Sequence, residues 1–151
     1  MKWLNKGIEN IIKTFMYKFY LIQQDYSIHC SCKNVNKEPD PACKKCLGTG
    51  HKIRIKSVKG YSEDVMKSVR QSYTTEPIIS TEYYILSKYP IERGNLIVDK
   101  NEALMIHEKE DLRSTEGKNV YQHCYAYRKK TNSTVFLNNF NELFERKGGE
   151  K

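Results

Sequence analysis

The segment His51-Lys-Ile-Arg-Ile-Lys-Ser-Val58 alternates apolar and charged side chains. Ile53 and Ile55 fall on one face and Arg54 and Lys56 on the other, the pattern of a strand with one buried face. Outward from it toward the C-terminus the chain reads as short strands joined by tight turns. Residues 61–76 fit either a short helix through Val65, Met66 and Val69, capped by Ser62, or a long hairpin arm. Pro77 precedes a strand over Ile78–Leu86, and Tyr89-Pro90 marks a turn. Ile91–Asp99 reads as turn then strand, Lys100-Asn101 as a tight turn, and Ala103–Glu110 as the return strand. After a polar loop over Arg113–Asn119, Val120–Arg128 forms another strand, with Val120, Gln122, Cys124 and Ala126 on one face. Val135–Phe144 fits a strand or a short helix. No βαβ alternation and no fixed repeat is visible, so an antiparallel sheet is expected.

Toward the N-terminus the period changes. Leu4, Ile8, Ile11, Ile12, Phe15, Phe19 and Ile22 recur at steps of three and four, which predicts one amphipathic helix over residues 3–23. A stripe this apolar must be covered. Leu4, Ile8, Ile11, Phe15 and Phe19 are therefore candidates for docking, on the chain's own domain or on a neighbouring subunit.

The 151 residues suit one domain with a real core. Apolar residues make up 38% and charged residues 29%, which predicts a modest core and a wet surface. The formal charge of +8 admits nucleic acid, an anionic membrane or an acidic protein as partner. The lysines are scattered, and the one dense run is Arg128-Lys129-Lys130. With Lys44 and Lys45 these form the candidate nucleic-acid-facing set. No stretch approaches the roughly 20 apolar residues that span a bilayer, and no membrane partner is expected. Lys13 and Lys18 interrupt the apolar N-terminus, and no small-residue cleavage site follows. The expectation is a chain made and kept in a reducing cytoplasm, where paired cysteines read as metal ligands before disulfides.

Residues 29–51 carry those cysteines. Cys30 and Cys32 are separated by ten residues from Cys43 and Cys46. Two close pairs across a short loop meet the tetrahedral demand of a structural Zn2+ site. Cys43-Lys-Lys-Cys46-Leu-Gly48 reads as a knuckle in which backbone amides point at sulfur, with a positive φ at Gly48. Asp40-Pro41 sets the entry turn. Alternatives are a site in which His29 or His51 replaces one cysteine, an iron–sulfur cluster, and free or disulfide-linked thiols. No His-Glu-x-x-His motif, nucleophile–base pair or phosphate loop accompanies the cysteines, so the zinc is expected to be structural and the chain not an enzyme. Cys124, His107 and His123 read as structural residues on strands.

The expected fold is α+β and mainly β: a small antiparallel barrel or sandwich with an N-terminal amphipathic helix and a zinc-stapled loop. The expected organisation is a helix over 1–25, the four-cysteine loop over 26–52, an antiparallel β domain over 53–146 and a frayed tail over 147–151.

The run Cys30-Ser-Cys32 … Glu38-Pro-Asp40-Pro41-Ala-Cys43-Lys-Lys-Cys46-Leu-Gly48-Thr49-Gly50 resembles a cysteine loop of small virion proteins of tailed bacteriophages. In that family the loop precedes a β-rich half with a Gly-Asp-hydrophobic-Ile … Asp-x-x-Glu hairpin. Here the hairpin stands as Gly94-Asn-Leu-Ile-Val-Asp99-Lys-Asn-Glu102, with Asn95 in place of the usual Asp. The likeness spans roughly residues 28–128, and the cysteine loop is its specific part. The Cys-x-x-Cys-x-Gly-x-Gly portion is also similar to the zinc repeats of certain chaperones, which carry several repeats where this chain has half of one. The phage resemblance implies a neck, head-completion or tail-connector subunit. Such a subunit is assembled in the host cytoplasm into a homo-oligomeric ring of the virion, next to portal, adaptor or tail-tube proteins, with non-specific DNA contact possible. The alternative from charge and cysteines is a zinc-ribbon nucleic-acid-binding regulator.

Overall fold

A computed structural model describes residues 2–3, 5–32, 38–71, 74–86, 88, 90–113, 120–129 and 133–146. Leu4, Lys130, most of the 113–119 loop and the 147–151 tail lie outside the described residues.

The elements run β1 (Lys2–Trp3), α1 (Lys6–Phe15), β2 (Tyr17–His29), β3 (His51–Gln71), β4 (Thr74–Leu86), β5 (Leu96–Asp99), β6 (Glu102–Arg113), β7 (Val120–Arg128) and α2 (Ser133–Arg146). Strands pair in the order β6-β5-β2-β3-β4-β7, and β7 pairs back onto β6. The result is a closed six-stranded antiparallel barrel, which leaves no edge along the paired stretch. The two-residue β1 adds a parallel pairing at the far end of β6, Lys2 opposite Leu112.

The helix expected over residues 3–23 is corrected to a single short helix and a strand. Asn5 caps α1, its side chain accepting from the Gly7 amide at 2.8 Å. The chain leaves the helix at Met16, whose ψ of 134° is extended. From Tyr17 onward the same residues also read with period two: Tyr17, Phe19 and Leu21 on one side, Tyr20 and Ile22 on the other. Aromatic and branched side chains fit the pleat, and barrel closure supplies hydrogen bonds on both edges of β2, to β3 and to β5. Phe19, expected on a docking stripe, is instead 1% exposed inside the barrel, its ring 5.1 Å from that of Tyr83.

The barrel interior is filled by Phe19, Leu21, Val58, Tyr83, Ile85, Ile91, Ile97, Leu104, Ile106, Cys124 and Ala126. Cys124 is the small core residue expected, and burial pushes its thiol up to about 12. Gly60 sits where β2, β3 and β4 crowd together. A Cβ there would lie 2.4 Å from the Tyr84 carbonyl oxygen, so only glycine fits. At one end of the interior, the buried Asp99 carboxylate accepts from the Tyr17 and Tyr83 hydroxyls.

Residues 133–146 form a helix, settling the open choice for that stretch. Phe136 and Phe140 of α2 pack with Ile22, Leu96, Val98 and Ala103 on the outer face of β2, β5 and β6. Burial of each phenylalanine is worth about 1.5–3 kcal/mol. On a different outer face, Ile12 of α1 packs with Tyr84, Leu112 and Tyr121. There His123 bridges Glu82 and Glu110, and its ring stacks 4.7 Å from Tyr84.

Residues 61–76 belong to the hairpin alternative. β3 and β4 stay paired out to Gln71 opposite Thr74, whereas β4 meets β7 only over Ser80–Leu86. Backbone residues 65–71 and 74–79 thus form a two-stranded arm beyond the barrel wall.

Candidate metal centre

The cysteine loop is tied down at both ends. The Cys30 amide donates to the Gly50 carbonyl at 2.9 Å, where β2 and β3 begin to pair. The Asp40 side chain accepts from the Ala42 amide at 3.0 Å, and its carbonyl accepts from Cys43 N at 3.0 Å. This is the entry turn expected at Asp40-Pro41. Past Cys46 the backbone takes left-handed angles at Leu47 (φ 54°), Gly48 (81°) and Gly50 (79°). Gly48 is required twice over: its φ favours glycine, and a Cβ would stand 3.2 Å from the Pro41 carbonyl oxygen. The Thr49 amide and hydroxyl both donate to the Cys46 carbonyl, at 3.1 and 2.8 Å.

These turns bring the sulfurs of Cys30, Cys32, Cys43 and Cys46 within 4.8 Å of one another. Cys30 and Cys43 are 3.8 Å apart and Cys32 and Cys46 3.5 Å. A tetrahedral thiolate site with metal–sulfur bonds of about 2.3 Å places its sulfurs about 3.8 Å apart. A disulfide needs about 2.05 Å, and all four thiols are free. The four cysteines are therefore a set able to hold a metal ion such as zinc. Neither histidine joins the group. His29 and His51 face each other across β2 and β3, rings 5.2 Å apart.

The thiols of Cys43 and Cys46 are shifted in opposite directions. Burial raises the Cys43 thiol, but the Cys46 and Lys45 amides aimed at its sulfur, with the neighbouring thiols, outweigh that and bring it to about 7. Burial carries Cys46 the other way, up to about 12, with the Cys32 and Cys43 thiols adding to it. Metal binding to such a set releases protons.

Supports that the sequence did not reveal come from α2. Leu47 is 1% exposed and packs in the cluster with Phe136 and Phe140. Asn139 Nδ2 donates to the Ala42 carbonyl at 3.2 Å, and Lys44 Nζ pairs with Glu142 at 3.1 Å. No spacing rule links positions 97 or 98 residues apart, so only the fold could find them.

The other candidate residues are dispersed. Ile8, Ile11 and Phe15 remain exposed on α1, whereas Phe19 is in the core. Of the basic set, Lys44 is engaged with Glu142, Arg128 pairs with Glu102 at 3.3 Å, and the Lys129 ammonium lies 6.0 Å from the Phe136 ring centroid. Lys45 is exposed on the knuckle. Among the described residues no helix is long and apolar enough to cross a membrane. No protein-family model matches the chain, and no curated protein is significantly similar to it.

Proposed function

We propose that the chain is a structural subunit of the neck or head-to-tail connector region of a tailed-phage virion, with one structural zinc held by Cys30, Cys32, Cys43 and Cys46. The observation that carries this reading is the cysteine loop itself. Its wording resembles the loop of that family, and its geometry gathers four sulfurs at ligand spacing. Four thiolates complete a closed coordination shell with no position for water or substrate, so the ion staples the loop and is not a reagent. They also leave two excess negative charges around a divalent ion, and Lys44 and Lys45 lie within the same knuckle.

Two further features suit assembly into a ring with portal, adaptor or tail-tube proteins. The arm of residues 65–71 and 74–79 leaves the barrel with its outer edges unpaired among the described strands. The outer side of α1 presents apolar side chains. A nucleic-acid-binding regulator is less well supported, since Lys44, Arg128 and Lys129 each have a partner within the chain.

The test is the protein content of purified virions, measured by mass spectrometry, together with zinc analysis of the recombinant chain. The reading expects the chain in the virion at tens of copies or fewer and one zinc per chain. Absence from purified virions overturns it.

A further inference from the structure

The four cysteines differ in access. Cys46 is 1% exposed, whereas Cys30, Cys32 and Cys43 are each partly open to solvent. The sulfur contacts at 3.8 and 3.5 Å run across the loop, Cys30 to Cys43 and Cys32 to Cys46. Each joins the end of β2 to the turns that lead into β3. Backbone hydrogen bonds that involve no sulfur hold these partners in place. The Cys30 amide donates to the Gly50 carbonyl, the Cys43 amide to the Asp40 carbonyl and the Thr49 amide to the Cys46 carbonyl. The loop therefore keeps one sulfur of each pair facing one of the other by means that do not depend on a metal.

We propose that this set is a staple with two chemical forms. As thiolates the cysteines hold zinc, and on exposure to a peroxide they close into two disulfides across the loop, Cys30–Cys43 and Cys32–Cys46. Access sets the order in the second pair. A peroxide reaches Cys32 and not Cys46, so Cys32 is the residue oxidised and Cys46 the one that resolves it. A ligating sulfur is a thiolate, which is the nucleophilic form. The Cys32 sulfur attacks one peroxide oxygen, the O–O bond breaks, and a sulfenic acid forms as hydroxide leaves. The Cys46 thiolate attacks that sulfur, an S–S bond forms, the S–O bond breaks and a second hydroxide leaves. Two protons turn the hydroxides into water. Each disulfide thus consumes two thiolates, one peroxide and two protons and yields two waters. The same steps join Cys30 to Cys43, both of which a peroxide can reach. A disulfide sulfur is no longer a thiolate ligand, so the ion is released.

The exchange preserves the fold of the loop. With Cys46 bonded to Cys32, its neighbour Leu47 stays packed with Phe136 and Phe140 under α2. The oxidised chain then keeps its loop docked without metal, whereas a reduced, chelated chain does not. This inference rests on the zinc part of the proposed function, and the connector reading supplies its setting. A chain assembled in a reducing cytoplasm and carried out in a released particle passes into a medium where disulfides persist.

The test exposes the full zinc-loaded chain to hydrogen peroxide. Zinc release is followed with a chromogenic chelator, and linkages are mapped by mass spectrometry of unreduced tryptic peptides. Cleavage after Lys18, Lys33, Lys37, Lys44, Lys45 and Lys52 places Cys30 and Cys32 in one peptide and Cys43 and Cys46 in two others. The expected product joins residues 19–33, 38–44 and 46–52 in one species, formed in step with zinc release. Fragmentation is expected to place 38–44 on Cys30 and 46–52 on Cys32. Dimedone present during oxidation is expected to label Cys32 and never Cys46. Hydrogen exchange over residues 38–50 is expected to stay as slow in the oxidised chain as in the zinc-loaded one. A Cys30–Cys32 bridge, a Cys43–Cys46 bridge, a dimedone adduct on Cys46, zinc release without disulfides, or an oxidised loop that exchanges as fast as the chelated one overturns the proposal. Any of these in a chain that carries zinc leaves the zinc reading standing. A chain that binds no zinc overturns both.

Discussion

Cys46 and Leu47 are neighbours in the chain yet belong to two different cores. The Cys46 sulfur lies 3.5 Å from that of Cys32 in the four-sulfur cluster, and Leu47 packs among Phe136, Phe140 and Ile22 under α2. The left-handed φ of 54° at Leu47 is what turns one side chain to the ligand set and the next to the barrel wall. A non-glycine residue pays about 1–2 kcal/mol for that conformation, which the burial of a leucine offsets at about 1.5–3 kcal/mol.

This linkage predicts that the loop and α2 report on each other. Leu47→Ala should destabilise the fold by about 2–5 kcal/mol and speed zinc loss to a chromogenic chelator. Leu47→Gly would relieve the strained φ while keeping the cavity. If zinc release from Leu47→Ala matches that of the parent, loop and helix are uncoupled.

Removing the metal should loosen the loop and spare the barrel, whose interior residues are distinct from the cluster around Leu47. Chelation is expected to lower the melting temperature and expose the 30–50 amides to hydrogen exchange, with β6 and β7 still protected. Acidification should have the same effect, because each thiolate that takes up a proton is lost as a ligand. Zinc release monitored against pH should require uptake of more than one proton per ion; release with no pH dependence would contradict thiolate ligation.

Alkaline pH should act on the barrel instead. Burial raises the phenols of Tyr17, Tyr83 and Tyr84, with Asp99 adding to the first two and Glu82 to the third. A tyrosine in the unfolded chain ionises near pH 10. Below that pH both states hold their protons and the contribution to stability is complete. Above it the unfolded chain loses protons that the folded chain keeps, so stability falls as pH rises. Urea midpoints should be level up to about pH 9 and decline above about pH 10. Midpoints that stay level well into the alkaline range would remove this role.

Phe15 and Phe19 make the sharpest contrast between pattern and fold. They sit four residues apart and share one stripe in any helical reading. Phe19→Ala should cost about 3–5 kcal/mol through a core cavity. Phe15→Ala should stay within about 0.5 kcal/mol, as an exposed substitution. Equal costs in chemical denaturation would place both in one buried face and refute the helix-to-strand switch at Met16.

Gly60→Ala should destabilise by about 1–3 kcal/mol or more, since the new methyl meets the Tyr84 backbone and the Phe19 ring. Phe19→Leu combined with Gly60→Ala tests the geometry: relief confined to the ring contact should leave most of the cost in place, because the carbonyl of Tyr84 cannot withdraw without breaking a ladder.

The sequence by itself determined the features whose physics is local. The spacing of Cys30, Cys32, Cys43 and Cys46, with the turn residues Asp40 and Gly48, was enough to pick out four sulfurs that the fold brings together. The alternation over 51–58 and the Lys100-Asn101 turn, both residues of which take positive φ, were enough to specify antiparallel β structure. Tertiary structure decided the rest. Residues 15–22 satisfy a helical period and a strand period at once, and only barrel closure, which pairs β2 with both β3 and β5, selects the strand. The charges of Lys44 and Arg128 were legible, but not that Glu142 and Glu102 would meet them, because partners distant in sequence are brought together by packing and not by any local preference.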